Sequence, residues 1–189
     1  MRRLIVTEFV TLDGRMEAPG GEPTHPHTGW VAEFGVPELF EYKLQETLEA
    51  ESLLLGRVTY EGFSDAWPPR DGAFADKMNA MPKQVATTTL RELSWNATPL
   101  HGDVSAAVAR LKQGEGGPIL VAGSCTLVHT LLEERLVDEL RLMVFPVTIG
   151  GGLSVFPENF AKTAYELIEL VQYSSGATLQ VYCPATTSS

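Results

Sequence analysis

Two short stretches of the chain carry residues of the right type and spacing to hold an anion. In "GPILVAGSCTLVHTLLEERLVDEL", residues 117–140, five strand-like residues run into Gly123-Ser124 and a helical pattern begins at once. Glycine at 123 permits a positive φ and a close approach of backbone to ligand. Ser124 is placed to cap a helix whose Leu127, Val128, Leu131, Leu132 and Leu136 form a buried stripe. A strand, a glycine turn and a helix N-terminus together present free N–H groups and a positive dipole end, which suits a phosphate. One Gly-Ser is equally a plain capped turn. The second stretch, "SLLLGRVTYEGF" at 52–63, repeats the construction with Gly56, Arg57 and Thr59, and adds a guanidinium and a hydroxyl as donors. A pyrophosphate with an adjoining phosphate would use both junctions, so one dinucleotide accounts for the pair.

Other residues have weaker claims. Asp13 follows the first strand at the sheet edge where open α/β sheets bind ligands, and it is either an Asp-Gly turn or a catalytic group that orients or protonates a substrate. From Glu17 to Gly35 the chain is rich in Pro, Gly and His, too long for a simple connector and a candidate binding loop. Within it Trp30 is the candidate substrate contact, the alternative being that Trp30 and Phe34 form the loop's own core. His25 and His27 lack a third metal ligand nearby and read as solvated, so no metal is expected. Glu8 shares a strand face with Leu4, Val6 and Val10 and is either a partly buried carboxylate of functional interest or, the reading preferred here, a charge escaping at the sheet's edge. Cys125 stands near a helix N-terminus, where a thiol is activated, but a plain buried cysteine fits as well. Gly150, Gly151 and Gly152 suit either a ligand-approaching turn or a mobile hairpin loop.

These residues need a scaffold, and the patterning supplies one. "LIVTEFVTL" alternates as a first strand; "SLLLG", "KQVATTTL" and "PILVA" are further strands, with helices predicted at 37–48, in "RVTYEGFSDAW", "AFADKMNAM" and "DVSAAVARLKQ", and after Ser124. "ELRLMVFPVTI" and a hairpin turning at Ser175-Gly176 close the chain. Alternating strands and helices followed by a terminal hairpin predict an α/β sheet, mostly parallel with an antiparallel edge, and helices on both faces. Residues 1–184 form one domain and 185–189 a frayed tail. A net charge of −10 argues against nucleic acid as a partner. No apolar run is long enough to cross a membrane, and two cysteines without CxxC spacing fit a reducing cytoplasm.

The motifs "TLDG" at 11–14, "LLLGRVTYEGF" at 53–63, "KQVATTTL" at 83–90, "VAGSCTLVHTLLEERLVDEL" at 121–140 and "FPVTIGGGLSVF" at 145–156 resemble, in order, the dihydrofolate reductase-like superfamily. Within it they resemble stand-alone relatives of the reductase domain of bacterial riboflavin biosynthesis. The resemblance implies a three-layer α/β/α sandwich and NADPH-dependent reduction of a small heterocyclic substrate of pterin, pyrimidine or ribitylamino type, with NADH not excluded. It assigns Gly56, Arg57 and Thr59 to the cofactor phosphates, Gly123, Ser124 and Thr126 to the pyrophosphate, and Thr87, Thr88 and Leu90 to the adenosine end. Thr88 stands where the family pattern has an arginine facing the 2′-phosphate, which leaves Arg91 or Lys83 as substitutes. No H-x-E with P-C-x-x-C occurs, so the zinc deaminase of the bifunctional riboflavin enzymes is not expected. A homodimer is expected, and the alternative function is a non-catalytic dimeric nucleotide- or ligand-binding protein that keeps the fold.

Overall fold

A computed structural model describes residues 1–185. Along the chain run β1 (Leu4–Thr11), a short α1 (Val31–Phe34), α2 (Pro37–Glu49), β2 (Ser52–Gly56), α3 (Arg57–Ala66), α4 (Ala73–Ala80), β3 (Lys83–Ala86) and β4 (Ala97–Leu100). Then follow α5 (Val104–Gln113), β5 (Ile119–Ala122), α6 (Cys125–Glu133), β6 (Glu139–Phe145), β7 (Tyr165–Gln172) and β8 (Thr178–Pro184). All eight strands form one sheet in the order β4-β3-β2-β5-β1-β6-β8-β7. The first six in that order are parallel, and β8 runs antiparallel to both β6 and β7.

Parallel strands covered on both faces read as unbroken apolar runs, which is why Leu53, Leu54 and Leu55 are all buried. On one face Leu4, Val6, Leu54, Ile119 and Val121 pack against Val108 of α5 and Leu127, Val128 and Leu131 of α6. On the other, Ile5, Leu53, Leu55 and Leu120 meet Tyr60 of α3 and Met78 of α4. A third cluster around Trp30, Leu39, Phe145 and Leu179 anchors α2 and the 17–35 loop to the antiparallel end. The three layers and the mixed sheet match the architecture read from the sequence.

Two differences have local causes. β4 was not anticipated, because Pro99 interrupts a strand pattern; it is tolerated here since β4 is an edge strand paired only with β3. β3 stops at Ala86 rather than running through "TTTL", because the buried Thr87 hydroxyl accepts the N–H groups of Thr89 and Leu90 and turns the chain. In the expected tail, the Ala185 N–H donates to the Ala164 carbonyl, and residues 186–189 lie outside the described residues. Among the described residues no helix is long and apolar enough to cross a membrane.

Under α2 the sheet buries charge. Glu46 is 3% exposed and accepts from Thr7 Oγ1 (3.0 Å), from Arg141 Nη1 (3.2 Å) and from Lys43 Nζ. Arg141 also donates to Glu139 (2.5 Å), which takes Arg3 as well (2.8 Å). Removing one partner from such a network strands an uncompensated buried charge, so Arg141→Met should destabilise the chain by about 3–5 kcal/mol. Urea unfolding measures it, and a loss near zero would show that Lys43 alone neutralises Glu46.

Candidate functional site

The two glycine junctions meet. β2 and β5 are neighbours in the sheet, so the chain leaves Gly56 into α3 and Gly123 into α6 side by side, with the helices on opposite faces. The Gly56 N–H donates to Ser124 Oγ (2.9 Å), and the Ser124 N–H donates to Thr59 Oγ1 (2.8 Å). These two hydrogen bonds cross-link the junctions. Gly123 has φ +58°, and a Cβ there would lie 3.1 Å from Thr59. Gly56 has an extended backbone, and a Cβ there would sit in contact with Ser124 Cβ at 3.4 Å.

Ser124 itself is left-handed at φ 62° and ψ 42°, an uncommon state for a residue with a side chain. Its hydroxyl also donates to the Ala122 carbonyl (3.2 Å) and does not cap α6. The expected N-cap is thereby corrected: the oxygen is diverted to Gly56. Neither α3 nor α6 has a side-chain cap, and both leave first-turn N–H groups for another acceptor. Thr126 is exposed in the first turn of α6. Arg57, at the start of α3, is paired with Glu61 at 2.8 Å, each side chain nearly half exposed. Such a pair is worth only about 0.3–0.5 kcal/mol and yields readily to a phosphate.

Beyond β3, Thr88 is exposed and Leu90 packs partly against the α3–α4 core. Lys83 is not available to a ligand. It begins β3, at the end of the strand away from this edge, is fully buried, donates to the Asn79 carbonyl (3.1 Å) and lies 4.0 Å from the Trp95 ring. Burial lowers its pKa to about 8. Arg91 is exposed beside Leu90 and is the remaining cation there.

Asp13 is exposed and accepts from Thr11 Oγ1 (2.5 Å), Ile149 N (3.3 Å) and Gly150 N (2.9 Å). The Thr11 hydroxyl first, helped by the Gly150 and Ile149 amides, holds its carboxyl below the usual range against the opposing effect of burial. Its charge is favoured at neutral pH, which favours an orienting role for Asp13 over proton donation. It ties the end of β1 to the glycine loop, which Arg15, Glu17 and His129 also hold through Ser154 Oγ (2.7 Å), the Leu153 N–H (3.2 Å) and the Ser154 carbonyl (2.8 Å). Trp30 is corrected as a substrate contact: it is 2% exposed, packs 5.2 Å from the Phe145 ring and donates to the Glu17 carbonyl (3.0 Å). Cys125 is a buried thiol pushed up to about 11, chiefly by burial. Among the described residues no group of three ligating side chains could hold a metal ion.

Of the two readings of Glu8, the structure has the buried carboxylate and not the edge charge: β1 lies between β5 and β6, and Glu8 is 5% exposed. Its Oε2 accepts the Gly123 N–H (3.0 Å), and its buried Oε1 has no partner. Burial raises its pKa well above the usual carboxylate range, against the pull of Lys43 and the Gly123 amide. The only signal in the sequence was a charged residue on an apolar strand face. A cleft of about 360 Å³ lined by Arg2, Leu100, Ala107, Arg110, Leu111 and Gly114 contains none of these residues.

Six parallel strands, an antiparallel pair and helices on both faces define a dihydrofolate reductase-like α/β/α protein. Residues 2–179 match the RibD C-terminal domain, and the chain belongs to that family. It is 25% identical over 189 residues to the Uncharacterized protein YyaP of Bacillus subtilis (strain 168), covering 96% of this chain and 94% of that one. To YwjB of the same strain it is 26% identical over 181 residues, with 94% and 96% covered. The fold matches a putative riboflavin biosynthesis protein from Shewanella sp. PV-4 with TM-score 0.76 at 20% identity, covering 97% and 99% of the two chains. Dihydrofolate reductase from Enterococcus faecalis, complexed with NADP(H), matches with TM-score 0.65 at 16% identity, covering 97% of each.

The cross-link makes Gly123 sensitive to a methyl group. Gly123→Ala should lose about 1–3 kcal/mol of stability, since a positive φ is strained and Thr59 must move. Gly14→Ala, at φ +77° with nothing within 4 Å, carries the φ strain alone. Equal losses in urea unfolding would mean that the Gly123–Thr59 approach contributes nothing.

Proposed function

We propose that the chain is a reductase that uses NADPH, with NADH as a possible second donor, to reduce a small planar heterocycle of pterin, pyrimidine or ribitylamino type. The observation that carries this reading is the cross-linked pair of uncapped helix N-termini at the C-terminal ends of β2 and β5. Family membership supports it. When bound, the reduced nicotinamide supplies hydride, and the protein's task is orientation and electrostatics.

The residues fit that group. The N–H groups of α3 with Arg57, and those of α6 with Thr126, would hold the phosphates, while Ser124, its own donors committed to Thr59 and Ala122, would fix the turn beside them. Thr87 shapes the turn that presents Thr88, Leu90 and Arg91 toward the adenosine end. β1 pairs with β5 only through Thr7 but with β6 through Thr11, so its β5-facing edge beyond Thr7 lacks a strand partner. That open edge beside Gly123 suits a flat amide-bearing ring. Asp13, held as an anion, would orient donors of the substrate, and the proton that accompanies hydride addition to a C=N or C=O group comes from water.

Tryptophan fluorescence titration with NADPH and NADH, followed by a screen of NADPH oxidation over heterocycles, tests the reading. Absence of saturable binding to either cofactor would sink it. Arg57→Ala should weaken NADPH by about 1.5–3 kcal/mol with the fold intact, and Thr88→Arg should increase discrimination between NADPH and NADH. Equal affinities across wild type and both variants would count against these assignments. Saturable binding without turnover would favour the second reading, a non-catalytic nucleotide-binding protein, which the missing arginine at Thr88 supports. A homodimer is supported by Leu167, Ile168 and Leu170, exposed on edge strand β7. Light scattering should give twice the chain mass, and Leu170→Lys should shift it to one; a monomeric wild type overturns the proposal.

A further inference from the structure

Glu8 is a buried acid that the reading above leaves unused, and unlike Glu46 it has a carboxyl oxygen without a partner. It is the first residue of β1 beyond the pairing with β5, and its carboxyl meets the Gly123–Ser124 turn. One carboxyl oxygen takes the Gly123 N–H at 3.0 Å, and the other is buried without a partner. A carboxylate removed from water with one hydrogen bond is poorly compensated, whereas the neutral acid tolerates burial. The cation on the neighbouring helix does not repair this. Lys43 of α2 is committed to Glu46 and to Thr7 Oγ1 (2.8 Å), and Glu46 adds a like charge. From the other face Cys125 of α6 presents a thiol held neutral by burial, with Glu17 beyond it as a further acid. His129 is turned to the Ser154 carbonyl (2.8 Å) and gives Glu8 no hydrogen bond.

We propose that Glu8 is a positioning residue of the Gly123–Ser124 turn, which couples binding of a phosphate-bearing ligand at that turn to protonation of its own carboxyl. The physics runs through one hydrogen bond and one charge. Ionised, Glu8 grips the Gly123 amide and places a negative charge beneath the site where an anion must sit. Protonated, it keeps a weaker acceptor on Gly123 and removes the repulsion. A phosphate bound above it therefore favours the protonated form, and by linkage the ligand binds with proton uptake wherever Glu8 is otherwise ionised. The direction follows: affinity falls as pH rises through the titration of Glu8, approaching tenfold per pH unit for one full proton.

The identity of the ligand as a dinucleotide rests on the proposed function; the coupling itself is testable without it. With NADH as probe, chosen because it lacks a titrating 2′-phosphate, calorimetry in two buffers of different ionisation enthalpy reads proton uptake across about pH 6 to 9. Wild type should take up a fraction of a proton and lose affinity with rising pH. Glu8→Gln, which keeps an acceptor for Gly123 but cannot titrate, should bind with a flatter pH profile and without that uptake. Identical uptake and pH profiles for wild type and Glu8→Gln overturn the proposal. In parallel, carbon-13 NMR of the wild-type Glu8 carboxyl, with inorganic pyrophosphate as probe, should give a midpoint well above about 4.3, the ordinary glutamate value. Saturating pyrophosphate should raise that midpoint further. A midpoint in the ordinary range, or one that pyrophosphate leaves unmoved, overturns the coupling. If neither NADH nor NADPH binds, the reductase reading fails alone, and the pyrophosphate titration still decides the role of Glu8.

Discussion

Ser124 joins the two halves of the site, and its left-handed backbone is the constraint the rest of the site obeys. In that conformation its N–H reaches Thr59 across the junction while its hydroxyl reaches the Gly56 amide. A helical or extended Ser124 would aim these groups elsewhere. The strain is tolerable because large apolar clusters clamp β2 and β5 from both faces, so the junctions are held before any ligand arrives. The diversion of Ser124 from capping has a consequence for chemistry: the first-turn amides of α6 stay free for a ligand, in a protein that could have satisfied one of them internally.

The chain's charge sharpens this point. With a net charge of −10, the protein's long-range field repels an anionic ligand. Attraction has to be local, from short-range donors that matter only at contact. Helix N-termini are suited to that, since their partial charges fall off within a turn. Arg57 adds a full charge at the start of α3, paired at the surface with Glu61. Short-range donors depend on geometry more than on steering, and at Gly123 the close approach of Thr59 fixes that geometry.

The elements that position the site were legible because each is specified locally. Apolar runs ending in glycine mark β2 and β5, and the stripe of leucines after Ser124 marks α6. What escaped depended on pairing between distant segments. Glu8 fits an edge charge as readily as a buried carboxylate until the sheet order puts β1 between β5 and β6, which no local pattern specifies. Trp30 looks like a loop aromatic, yet it meets Phe145 from a strand more than a hundred residues away. Lys83 looks like a free cation near the adenosine end, but strand direction carries it to the opposite edge of the sheet, beneath Trp95. Ser124 as a cap failed for the same reason: its competing partner, Gly56, is distant in sequence and adjacent only after β2 pairs with β5.

Two acids on the same short segment show how placement assigns chemistry. Asp13 is exposed at the end of β1 and receives a hydroxyl and two amides, so its charge is stabilised and its proton is lost well below neutrality. Glu8, a few residues earlier, is enclosed by the sheet and α6 with a single amide, so its charge is opposed. Residue type alone would rank them together, and position in the strand alone would favour Asp13 as the acid because it sits at the ligand edge. The number of donors each carboxyl receives reverses that ranking. At the end of β1 the stabilised anion holds a loop, whereas beneath the Gly123–Ser124 turn the same charge, with one amide to compensate it, is disfavoured.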